Sequence, residues 1–146
     1  MHLQSQLDVD YSIDQVTKFF YEPSSLAKWD RSVAQMIPAS TSGPAVGSTF
    51  DTIAPSEMKM NYEIIEFDSG RSVKIQLNNS RMFKKAVWHF QFDPINTGTM
   101  ITCHVYFKLR LPYFFLYPFL YFNKHALSRD LGFFKKALEE NYPTKN

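Results

Sequence analysis

Three polar side chains stand where their chemistry could matter: Asp30, Tyr62 and Asn123. Asp30 follows Trp29, and a carboxylate held among apolar groups has a raised pKa and can act as a base, although an aspartate there also caps a turn. Tyr62 shares a strand face with Met60 and Ile64, so its hydroxyl can orient a substrate, protonate an enolate, or simply meet a backbone carbonyl. Asn123 is the one polar residue in an apolar helical stripe. A buried amide needs partners, so it points to a ligand carbonyl or hydroxyl unless the helix turns it towards water. If the protein is an enzyme, these three are its catalytic candidates. Cys103 is the only cysteine, which excludes an internal disulfide and a thiolate-built zinc site, and on an apolar wall it reads as an inert thiol. His89 and His104 fall near one another on an outward face without a third ligand in view, so neither a metal nor another cofactor is expected.

The elements that must position these groups are legible from hydrophobic period. Val73, Ile75 and Leu77 alternate with polar residues; so do Ala86, Trp88, Phe90 and Phe92, and then Ile101, Cys103, Val105, Phe107 and Leu109. Alternation of this kind marks strands with one buried face. The turn residues of segments 68–71 and 93–98 separate the runs and make them antiparallel neighbours. If both rows face inward, partners across the last hairpin carry numbers summing to about 193, so that Trp88 opposes Val105 and Phe90 opposes Cys103. Earlier strands are predicted at 3–9, 33–37, 47–53 and 58–67, about seven in all. A short helix after the first strand starts at Ser12 and Gln15, which have capping-box spacing, and a second helical turn covers 24–28. Past Pro112 the period becomes helical, with Leu116, Leu120, Asn123, Leu127, Leu131, Phe134 and Leu138 in one stripe that Pro118 either kinks or begins. The predicted fold is α+β, one domain over 1–146: a curved antiparallel sheet gripping a long C-terminal helix.

Composition supports a cavity. Fourteen Phe, eight Tyr and two Trp make 16% of the chain, enough either to over-fill one core or to wall an internal space. A twisted sheet and a straight helix cannot mesh along their whole length, and the remaining gap suits a small hydrophobic molecule. The expected lining is Trp29, Trp88, Phe90, Cys103, Val105, Phe107, Leu116, Leu120 and Leu127, with plain core packing as the alternative. A net charge of +2, with scattered Lys and Arg, gives nucleic acid no stripe to bind. No secretory leader is visible at the start, and a reducing, cytoplasmic setting is expected.

Ile13-Asp14-Gln15-Val16 with Phe19-Phe20, Leu26-Ala27-Lys28-Trp29-Asp30, Val46-Gly47 before a strand, Trp88-His89-Phe90, Gly98-Thr99 and the closing Leu127-Ser128-Arg129-Asp130-Leu131 succeed one another in a familiar order. In these fold landmarks the chain resembles the START-like helix-grip (SRPBCC) superfamily, and within it the polyketide cyclase/dehydrase and lipid-transport group, over nearly its whole length. The resemblance implies a deep apolar cavity of the kind that different members use for sterols, lipids, plant hormones or polyketide intermediates. It leaves function open between cyclisation or dehydration of a polyketide-like substrate, non-catalytic carriage of a lipid, and a ligand-free interaction module. Segment 113–122 is too aromatic for one helical stripe to bury, so it forms a cavity lid, a weak membrane contact aided by Arg110, Lys124, Arg129, Lys135 and Lys136, or a dimer contact. The oligomeric state is open between monomer and homodimer.

Overall fold

The computed structural model describes residues 1–39 and 42–143. Strand β1 (His2–Val9) leads into α1 (Ile13–Tyr21) and α2 (Leu26–Trp29), then β2 (Gln35–Pro38), β3 (Thr49–Ile53), β4 (Lys59–Asp68), β5 (Ser72–Asn78), β6 (Phe83–Ile95) and β7 (Gly98–Leu109). A 3-10 helix (Leu111–Leu116), α3 (Tyr117–Phe122) and α4 (Ala126–Asn141) complete the chain. The sheet is antiparallel throughout, in the order β1-β7-β6-β5-β4-β3-β2. It is the expected helix-grip architecture. Helix α1 begins with the predicted capping box: Gln15 N–H donates to Ser12 Oγ, and the Ser12 N–H donates to the Gln15 side chain.

The β6–β7 hairpin has the predicted register, with Trp88 opposite Val105 and Phe90 opposite Cys103. Its strands run further than their turn residues suggest, because Pro94 is paired inside β6 opposite Thr99. The reason lies in which side Pro94 faces. Phe92 N–H points to the β5 side, where it donates to Arg71 O, and Pro94 faces the same way two residues later, beyond the first residue of β5. Its missing donor therefore has no ladder partner to lose. At the other end of the turn, Gly98 has φ +154°, and a Cβ there would collide with the Val9 carbonyl oxygen. The close approach lets the buried Thr99 hydroxyl donate to Tyr11 O at 2.8 Å and ties the hairpin to the start of α1.

The long C-terminal helix differs from its expectation. The stripe from Leu116 to Leu138 is broken by a turn at 123–125, so α4 starts only at Ala126. Pro112 and Pro118 each sit in the first turn of a short helix, and Asn123 ends α3 by donating its side-chain amide to Phe119 O at 2.9 Å. Helix α4 runs against β1 and α2. Phe134 anchors it: its ring lies 5.4 Å from Trp29 and 5.5 Å from Phe19, centroid to centroid, and 6.1 Å from Phe20. Leu131, Ala137 and Leu138 are buried beside it. Truncating a fully buried ring of this kind costs about 3–5 kcal/mol. Phe134→Ala is expected to destabilise the protein by that amount in urea unfolding, whereas substitution of the exposed Glu140 leaves the midpoint nearly unchanged.

Candidate functional site

Helix α4 packs against β1 and α2, and between it and the inward face of β3 to β6 lies a cavity of about 700 Å³. Its floor is built by Phe50 and Thr52 of β3, Tyr62 of β4, Ile75 of β5, and Trp88 and Phe90 of β6. Alternation places each of them inward. The roof is Leu26 and Trp29 of α2 with Leu127 and Leu131 of α4, and Phe20 of α1 closes one side. Rings are interlocked along the floor: Tyr62 stacks on Phe50 at 5.2 Å and meets Trp88 edge-on at 5.8 Å.

Of the residues expected to line such a space, Trp29, Trp88, Phe90 and Leu127 do so, together with Asp30 and Tyr62. Cys103, Val105 and Phe107 also face inward, but they are buried in the closed core on β7, outside the cavity wall. Leu116 and Leu120 belong to the segment before α4 and do not reach the cavity. Asn123 lies exposed at the end of α3, its amide engaged with its own helix. The break in the stripe is the cause, since a continuous helix would have aligned all of these residues with Leu127. His89 and His104 pair across β6–β7 as expected, and His2 of β1 hydrogen-bonds His104 at 3.0 Å. No group of three or more metal-ligating side chains occurs among the described residues.

The periodic pattern does not single out Asp130. It sits between Leu127 and Leu131 on α4, half-buried in the cavity lining, and the flanking leucines are the only sequence signal that could have found it. Burial raises its pKa above the usual carboxylate value, the Asp30 charge raises it further, and Arg129 opposes the shift. Asp30 caps the end of α2 and accepts hydrogen bonds from Ser32 N–H at 2.9 Å and the Ser32 hydroxyl at 2.6 Å. The Tyr62 pKa is also raised, chiefly by burial and further by Asp30, against a hydrogen bond with Thr52. The cavity lining therefore brings Asp30 together with two groups whose pKa values are raised, the Asp130 carboxyl and the Tyr62 phenol. Burial pushes Tyr21 up to about 12, with help from Asp68, and pushes the Cys103 thiol well above its ordinary value. Tyr21 Oη and Trp29 Nε1, both in residues of the lining, are buried without a hydrogen-bond partner.

A seven-stranded sheet gripping a helix over an apolar cavity defines the START-like helix-grip class. Solved structures share it at low sequence identity. TTHA0849 of Thermus thermophilus has a TM-score of 0.77 at 12% identity, covering 97% of this chain and 99% of its own. Protein MLL2253 of Mesorhizobium loti has a TM-score of 0.75 at 14% identity, covering 96% of this chain and 98% of its own. A START superfamily protein of Mycobacterium smegmatis has a TM-score of 0.69 at 14% identity, covering 96% and 95% respectively. No curated protein sequence matches the chain. The chain belongs to the family described as polyketide cyclase / dehydrase and lipid transport, whose profile matches residues 1–139.

A raised carboxylate pKa means that the native protein holds the Asp130 proton more tightly than the unfolded chain does. The penalty on stability is then fully in force above the raised native value and fades as pH falls through it to the unfolded value of 3.8. Asp130→Asn is expected to raise the melting temperature at neutral pH, with the advantage over the native protein disappearing by pH 3.8. Melting curves across that range check it, and an equal or lower melting temperature at neutral pH would contradict the assignment.

Proposed function

We propose that the chain works as one ligand-binding domain whose cavity takes an uncharged, mostly hydrophobic molecule, polyketide-like or lipid-like. One observation carries this reading: Ile75, Tyr62, Trp88 and Leu127 face the cavity only half-buried, while the neighbouring inward row Ile101, Cys103, Val105 and Phe107 is sealed in core. Apolar surface left open inside a fold is stabilised by a ligand that covers it, by roughly 25 cal/mol per Å². Charge narrows the ligand. Glu22, Asp30 and Asp130 line the cavity against Arg31, whose guanidinium lies 4.2 Å over the Phe133 ring. This acidic lining repels a free fatty acid or a phosphate and suits a hydroxyl donor. A ligand carbonyl would give Trp29 Nε1 the acceptor that it lacks.

The carboxylate pair favours a second reading on the same site, cyclisation or dehydration of the bound molecule. A flexible chain held folded by the rings gains most from positioning, worth about 7–11 kcal/mol at best. Asp30 would act as base, Asp130 as acid, and Tyr62 as hydrogen-bond donor to a developing enolate. Asn123, remote from the cavity, would take no part. Carriage of a lipid would use the same cavity and leave the molecule unchanged.

Native mass spectrometry of the purified protein is expected to show one neutral organic molecule per chain, and narrowing the cavity with Ile75→Trp is expected to remove it. Conversion of that molecule by the native protein but not by Asp130→Asn supports the enzyme; its release unaltered from both supports the carrier. An empty protein that binds no neutral polyketide or lipid would refute the reading.

A further inference from the structure

The segment between β7 and α4 has two sides. One is fixed to the domain: Tyr117 Oη accepts a hydrogen bond from Leu109 N–H at 3.0 Å, Tyr113 N–H donates to Arg110 O at 2.8 Å, and Leu120 packs on the core. The other faces solvent with large apolar side chains, namely Leu111 at 79% exposure, Phe115 at 73%, Phe119 at 64% and Phe122 at 79%. Soluble surfaces rarely concentrate apolar groups in this way without something to cover them.

Charge around the segment says what covers it. Residues 94–129 contain no Asp or Glu but include Lys108, Arg110, Lys124 and Arg129. The turn between β5 and β6 brings Arg81 and Lys84 to the same end of the sheet, held there by Arg110 N–H donating to Met82 O at 2.9 Å and Arg110 Nε donating to Ser80 O at 3.2 Å. Lys85 stands directly opposite Lys108 across β6–β7, both exposed, and like charges in that position repel. None of these cations is in the ion pairs formed among the described residues, Lys59–Asp51 and Lys74–Glu66. An anionic surface outside the protein would relieve the repulsion while its apolar layer took the rings.

We propose that segment 111–122 and its basic rim form a docking surface for an anionic lipid bilayer, with the exposed rings entering the interface and the cations on the lipid headgroups. Phe and Tyr suit that depth, and the paired signal of apolar insertion with basic residues is what stable peripheral binding requires. No helix of the described residues is long and apolar enough to cross a membrane, so contact would be with one face. Leu127, in the first turn of α4, lines the cavity five positions after Phe122, so one short turn separates the docked segment from the cavity wall. The proposal rests on the surface alone and holds whether or not the cavity is filled.

Co-sedimentation of the full chain with vesicles of phosphatidylcholine, alone or mixed with phosphatidylserine, tests it. Retention is expected on the mixed vesicles, falling roughly tenfold or more on pure phosphatidylcholine or at high salt. Phe115→Ser with Phe122→Ser should remove retention without changing the melting temperature or the ligand seen by native mass spectrometry. Undiminished retention of that double variant would overturn the proposal. So would failure of the native chain to sediment with the mixed vesicles. A dimer that the same substitutions dissolve, without vesicle binding, would assign the surface to a second copy and equally overturn it.

Discussion

The position of α4 decides what this protein can hold. Its Phe134 ring lies among Phe19, Phe20 and Trp29, and so the helix is fixed over the β1 side of the sheet. A twisted sheet falls away from a straight helix, and a helix held to one side roofs β3 to β6 without packing flush on them. The resulting void is maintained by rings rather than filled by them: Tyr62 braces Phe50 and Trp88, and Trp29 is held between Phe90 and Phe134. Collapse of the cavity would require these well-packed contacts to break first.

The same arrangement gives the cavity its electrostatic character. Asp30 is oriented by Ser32 at the end of α2, while Asp130 projects from α4, the element that roofs the space. Two carboxylates on different helices are brought into one lining, where burial, and after it the Asp30 charge, raises the Asp130 pKa. The aromatic wealth of the chain thus serves three separate ends: an anchor for the helix, a wall for the cavity, and an outward face before α4. In each the side chains are similar, and what differs is the surface that covers them.

How far the sequence discloses this depends on the range of the interactions involved. Strand alternation reports directly which face is buried, so the pairing of Trp88 with Val105 and of Phe90 with Cys103 was legible. The capping box at Ser12 is equally local. Alternation does not report what lies across from a buried face. Phe90 therefore meets the cavity while Cys103, its partner in register, meets solid core. The helical stripe misled at Asn123 because prolines and a side-chain cap can interrupt a helix without disturbing its apolar period. Asp130 stayed hidden since one acidic residue among leucines has the pattern of an ordinary helix boundary, and only the folded position of Asp30 gives it meaning.

The central claim is that a persistent apolar void lies between α4 and β3 to β6, open to a neutral ligand. Fluorescence titration with the uncharged apolar probe N-phenylnaphthylamine measures it most directly, comparing the delipidated native protein with Ile75→Trp. Saturable binding of one probe per chain, abolished when the tryptophan occupies the space, is the predicted result. Absence of saturable binding, or identical titrations for the two proteins, would contradict the account.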